Sequence, residues 1–185
     1  MFNENVKTKT TTTDIVFISL SAALIAICSW ISFPLTVPVT LQTFAVFTAV
    51  GLLGLKRGTW AVFVYILLGA IGLPVFANFK GGFGVLIGST GGYIIGFIFS
   101  ALVVGIITKI FGKKTLVLII SMIAGLLVCY IFGTAWFMYV YAHKTGAIGL
   151  TSVLSLCVFP FIIPDAVKIA LAVIVVNRVS KQVKL

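Results

Sequence analysis

Asp165 and Lys168 are the side chains with the clearest chemistry in this 185-residue sequence. They stand in Pro164-Asp165-Ala166-Val167-Lys168, which interrupts an apolar run, with Phe161-Ile162-Ile163 before it and Ile169 to Val176 after it. After Asp14, Asp165 is the only acidic residue in the sequence. A three-residue spacing puts the two charges on one helical face. An ionisable residue within a membrane-spanning segment costs roughly 2.5–3.5 kcal/mol on insertion scales, so it normally faces a partner or a cavity. The plainer reading is a helix N-cap after Pro164, with Lys168 as its surface counter-ion. Asp165 lies 13 residues before Arg178, about 20 Å of helix, which sets it in the outer part of a bilayer. The scarcity of such charges in membrane segments favours ligand contact.

Other reactive groups are thin. His143 is the single histidine, in Ala142-His143-Lys144-Thr145-Gly146 with no serine beside it, and Asp165 has no second acid nearby in sequence. An intramembrane enzyme therefore remains an alternative with little to carry it. One acid and one base that neutralise each other also make a poor proton relay. Cys28, Cys129 and Cys157 are isolated in apolar surroundings without CxxC spacing, so no metal site or disulfide is expected. The stretch Gly82 to Gly88 has one residue too many for GxGxxG, and GxxxxGK[ST] is absent. Any ATP hydrolysis must come from other chains.

The elements that hold the charged pair are membrane helices. The protein is 61% hydrophobic and 9% charged, with a mean hydropathy of +1.28, whereas soluble domains carry about 25% charged residues. Six segments approach the roughly 20 residues that cross a hydrocarbon core: Ile15 to Phe33, Val39 to Leu55, Thr59 to Leu73, Gly92 to Ile110, Leu116 to Tyr141, and Phe161 to Asn177. The expected fold is an all-α integral membrane bundle of six transmembrane helices, one substrate-binding domain over residues 1–185 with a cytoplasmic tail at 1–14. Lys7, Lys9, Lys56, Arg57, Lys109, Lys113, Lys114, Arg178, Lys181 and Lys184 hold ten of the 13 Lys and Arg residues and all fall on one side of such a bundle. The net charge of +10 thus reads as an orientation signal rather than a nucleic-acid surface, with both termini cytoplasmic. Pro34, Pro38, Pro74, Pro160 and Pro164, the glycines between Gly81 and Gly92, and the belt of Trp136, Tyr139 and Tyr141 all mark the other side. Irregular backbone at membrane depth is tolerated only where protein buries it or it lines a cavity. The broken outer loops are the expected binding end.

Several stretches, taken in order, resemble the BioY family of biotin-specific S components of energy-coupling-factor transporters. They are Thr40-Leu41-Gln42-Thr43, Leu53-Gly54-Leu55-Lys56-Arg57-Gly58, Leu68 to Phe76, Gly88-Ser89-Thr90-Gly91-Gly92-Tyr93, and Phe159 to Lys168. The Gly-rich stretch departs from the resemblance at Asn78-Phe79-Lys80, which is bulkier and more charged. The resemblance implies a multi-pass plasma-membrane protein with a pocket near its outer face, biotin as transported ligand, and no cofactor. An S component for another vitamin shares the fold and remains an alternative.

Biotin carries two urea N–H donors, one carbonyl, a thioether ring and an apolar tail ending in a carboxylate. An unmatched polar group in a dry pocket costs roughly 1–3 kcal/mol. On the resemblance, Asp165 accepts from a urea N–H, Asn78 meets the carbonyl, and Lys168 neutralises Asp165. Gln42, Thr43 and Tyr93 complete the polar wall; Phe79, Val85 and Ile162 meet the ring and tail. The ligand carboxylate has three candidates: Lys80, Tyr93, or backbone N–H groups of the Gly-rich stretch around Gly91. The resemblance also implies a transmembrane coupling subunit and two ATPase subunits, docked by analogy on the first helix. There Ala22 and Ala26, with Ser19 and Ala23, form a ridge of small residues that lets another helix approach. Ordinary packing inside the bundle is the other reading of that ridge.

Overall fold

The computed structural model describes residues 11–33, 37–146 and 149–182. Pro34, Lys7, Lys9, Lys184 and residues 1–10 of the expected tail lie outside the described residues. The protein is helical almost throughout. Helix α1 covers Thr12–Trp30, α2 Gln42–Ala70, α3 Phe83–Leu86, α4 Gly91–Phe111, α5 Thr115–Thr145, α6 Leu150–Cys157 and α7 Phe159–Gln182. A two-stranded antiparallel ribbon joins α1 to α2, with β1 Ser32–Phe33 paired to β2 Val39–Thr40. Residues Ala77–Phe79 form a single 3-10 turn.

Five helical stretches among the described residues are long and apolar enough to cross a membrane: Thr12–Trp30, Gln42–Ala70, Gly91–Phe111, Thr115–His143 and Leu150–Gln182. The second is not straight. Gly54 takes φ 78° and ψ −177°, a conformation that costs other residues dear and glycine nothing. Across it, Gln42 Nε2 donates to Tyr65 OH at 2.9 Å; a straight helix would part those residues by about 35 Å. A Cβ at Gly58 would lie 2.6 Å from Val50 Cα. Helix α2 is therefore two antiparallel arms, residues 42–53 and 55–70, which overlap the second and third expected spans.

Other boundaries differ from expectation for local reasons. The first helix stops at Trp30 because the backbone turns into the ribbon, not at Phe33. At its start, Asp14 accepts from the Thr11 N–H at 3.1 Å and pairs with Arg57 at 2.6 Å, tying α1 to the start of the second arm. The segment expected as a long loop after Tyr141 instead extends α5 to Thr145 and adds α6.

Small residues set the helix crossings, as they must where lipid removes the hydrophobic drive between helices. Gly125 packs on Ser100 and Val104, joining α5 to α4, and Gly51 sits under Val176, joining α2 to α7. Large apolar side chains such as Leu20, Phe63, Ile131 and Ile163 point outward from the bundle, which suits a lipid-facing surface. One expectation for α1 changes here. Ala22 and Ala26 are buried, Ala22 at 2% exposure, on the same inward face as Ile25 and Ser29. They pack inside the bundle and offer no docking surface, while Ser19 and Ala23, on the flank of that face, lie exposed.

Candidate functional site

Asp165 sits six residues into α7, so it is not a helix cap. It is 2% exposed and Lys168 4%. Lys168 Nζ donates to Asp165 Oδ1 at 2.7 Å, and Tyr130 OH, from α5, donates to Oδ2 at 2.5 Å. Burial without partners would be prohibitive for either charge; here each carboxylate oxygen is engaged and keeps a further lone pair. Lys168 commits one of three N–H bonds to this pair. Phe161, Asp165 and Lys168 share one face of α7, spaced four and three residues apart.

That face closes one end of a cavity of about 290 Å3, near the low end of the roughly 300–1,000 Å3 usual for small-ligand sites. The inner end is polar, with Asp165, Lys168 and Tyr130; the walls are mostly apolar, with Phe76, Ile94, Phe97, Leu126 and Phe161. Exposed Asn78 and Lys80 mark the mouth. The segment carrying them is strapped to the end of α1. Ser29 Oγ donates to Val75 O, Trp30 Nε1 to Pro74 O at 2.8 Å, and Ser32 Oγ to Asn78 Oδ1 at 2.9 Å. The cavity thus combines one buried ion pair, a greasy barrel and a cationic rim. Such a lining is complementary to a polar head at the inner end, an apolar body along the walls and an anionic group at the mouth.

Gln42, Thr43, Asn78, Val85, Tyr93, Asp165 and Lys168 all line this cavity. Gln42 is anchored by Tyr65, and Tyr93 OH is 3.1 Å from Thr134 Oγ1. Three expected contacts fall elsewhere. Phe79 is 64% exposed and stacks on Trp30, ring centroids 5.2 Å apart, outside the cavity. Ile162 is exposed and lines a separate outward groove between α5 and α7. Gly91 is packing rather than lining: a Cβ there would lie 1.8 Å from the Leu86 carbonyl oxygen. Trp136 also does more than mark an interface, since its Nε1 donates to Gly88 O at 3.0 Å and its ring packs on Gly92.

Tyr130 is the missed polar residue that touches the ion pair; Thr40, Ser89 and Thr90 also line the cavity without having been expected there. Tyr130 stands 35 residues before Asp165 inside an apolar run, where nothing local signals a partner. Phe161, Phe97, Cys129 and Cys157 also line the cavity unexpectedly. Among the described residues no group of three His, Cys, Asp or Glu residues could hold a metal ion. His143 packs edge-on against Tyr139 and does not line the cavity.

The BioY family model matches residues 3–185 of the protein. The biotin transporter BioY of Thermotoga maritima is 43% identical over 161 residues, covering 86% of this chain and 90% of that protein. The probable biotin transporter BioY of Pyrococcus horikoshii is 37% identical over 168 residues, covering 90% and 96%. Among solved structures, the S-component for biotin from an ECF-type ABC transporter superposes with a TM-score of 0.82 at 28% identity, covering 99% of this chain and 96% of that one.

Proposed function

The chain belongs to the BioY family, and from that membership we propose that it is the biotin-binding S component of an energy-coupling-factor uptake transporter. The observation that carries the reading is the Asp165–Lys168–Tyr130 cluster, buried at the inner end of a cavity whose walls are apolar. The two urea N–H groups of biotin are donors that need acceptors, and the spare lone pairs of Asp165 supply them with charge assistance. Lys168 pairs with the carboxylate and has N–H bonds left for the urea carbonyl; Gln42 and Thr43 complete the polar wall. Phe76, Phe97 and Phe161 take the bicycle and the tail. Of the three candidates for the ligand carboxylate, Lys80 fits best: it is basic, lines the cavity and is exposed at the mouth, whereas Tyr93 is uncharged with its hydroxyl beside Thr134, and the Gly91 N–H already donates to Gly88 O.

Counting the two arms of α2 separately gives six crossings in a single domain, which returns both termini to one side. The basic residues mark that side as cytoplasmic in the plasma membrane, with the cavity opening outward. The subunit binds its cargo without chemical turnover or cofactor. A coupling subunit and two ATPase subunits supply the energy, and the exposed small residues Ser19 and Ala23 of α1 suit close approach by a partner helix. Titrating the purified protein with biotin, thiamin and riboflavin tests the ligand. Saturable binding of biotin alone, with no product by mass spectrometry, is expected. Preference for another vitamin would overturn the assignment.

A further inference from the structure

A second recess opens at the basic end of the bundle, remote from the ligand cavity. Three segments enclose it: the turn of α2 at Gly54, Leu55 and Lys56, the late turns of α4 at Gly105, Thr108 and Lys109, and Lys113 between α4 and α5. Its volume is about 320 Å3. The walls are brought together tightly, since a Cβ at Gly105 would lie 2.6 Å from Leu55 Cα. Lys113 is held in place by donating to Leu52 O at 2.7 Å, which satisfies a carbonyl at the end of the first α2 arm. The second arm begins at the recess and turns its positive dipole end toward it.

The charge here is not balanced locally. The described carboxylates are both engaged, Asp14 with Arg57 and Asp165 with Lys168, so neither Lys109 nor Lys113 pairs with an acid among the described residues. Lys113 is exposed overall, but partial desolvation of its ammonium against the recess lowers its pKa, a cost that a nearby anion would offset. Beside the lysines, Ile106 and Ile110 share the face of α4 that carries Lys109, and both are exposed, as is Phe111. A cationic notch therefore adjoins an apolar, lipid-facing strip.

We propose that this recess binds the phosphate of an anionic phospholipid, with Lys109 and Lys113 as the anion-binding groups and the acyl chains lying along Ile106 and Ile110. Basic pockets between membrane helices on the positively charged side suit such headgroups. The phosphate chemistry alone would also accept free inorganic phosphate; the adjoining apolar strip selects the lipid.

The test uses the full-length protein in detergent micelles and native mass spectrometry, with phosphatidylglycerol, phosphatidylcholine and inorganic phosphate as probes. Phosphatidylglycerol is expected to be retained in preference to phosphatidylcholine. Each lysine near a phosphate is worth about fivefold, so the K109Q/K113Q variant should lower that preference roughly 25-fold. Circular dichroism and biotin titration check that the variant is folded; if it is not, K109Q alone should give about fivefold. The R178Q/K181Q variant removes the same charge from the same end outside the recess and should keep the preference. Equal retention of both lipids, an unchanged preference in K109Q/K113Q, an equal loss in R178Q/K181Q, or displacement of the lipid by inorganic phosphate at equal concentration would each overturn the proposal.

Discussion

Replacing Asp165 with asparagine keeps the outline of the side chain and removes its charge. In the folded protein Oδ1 receives a hydrogen bond from Lys168 at 2.7 Å and Oδ2 one from Tyr130 at 2.5 Å. The D165N side chain has one acceptor oxygen for those two donors, and its NH2 group must face one of them. A hydrogen bond to a charged group contributes about 1.5–3 kcal/mol and a neutral one about 0.5–1.5. The loss at one ligand bond is then about 1–1.5 kcal/mol, or roughly 5- to 13-fold in affinity. Lys168, 4% exposed, also loses its counter-ion, which disorders the group that shapes the site. Isothermal titration calorimetry should therefore show biotin affinity reduced at least about tenfold. Stability moves separately: unpairing a buried charge costs about 3–5 kcal/mol, so the Tm should fall. The double variant D165N/K168M removes both charges and should regain much of the Tm without regaining affinity. Folded D165N protein that binds biotin as tightly as wild type, or tight binding restored in the double variant, would refute this account of the site.

Four further outcomes can be checked. Y130F removes a donor from the charged Asp165 Oδ2 and should lower stability by about 1.5–3 kcal/mol in thermal unfolding, with weaker biotin binding in calorimetry because the carboxylate loses one of its two anchors. K80Q should lower affinity for biotin but not for biotin amide, since only the acid needs a cation at the mouth; equal loss for both would remove Lys80 from the carboxylate. G54A forces a Cβ into a backbone with φ 78° and should destabilise the protein by about 1–2 kcal/mol in thermal unfolding. A23W, at an exposed position of α1, should preserve biotin binding and abolish co-purification with the coupling subunit. By contrast A22W, in the buried face, should lose folded yield.

Much of the fold was legible because hydropathy and basic residues are strong, local signals. The membrane helices and the outer breaks follow from them, and Asp165–Lys168 pairs as its spacing predicts. The turn at Gly54 was legible as a gap between two short apolar runs, marked by Lys56, Arg57 and Gly58. Helix phase was available and would have improved the site. Four residues back from Asp165 selects Phe161, which lines the cavity, whereas one step of about 100° carries Ile162 to the outside. The same arithmetic groups Ala22, Ile25, Ala26 and Ser29 on one inward stripe with Ala23 at its flank, whereas Ser19 shares the phase of Ala26 and is exposed because it lies nearer the end of the helix. Tyr130 is different in kind. Its role depends on how α5 docks against α7, a tertiary fact with no trace in Leu116 to Tyr141. Phe79 misled because its left-handed backbone, φ 56°, turns the ring onto Trp30 rather than inward.

The most direct measurement is a crystal structure of the protein with biotin bound. The bicycle should lie in the cavity with a urea N–H within hydrogen-bonding distance of Asp165 and the tail carboxylate running toward Lys80. Biotin reversed, with its carboxylate on Lys168, or bound anywhere outside that cavity, would contradict the claim that the buried pair reads the urea head.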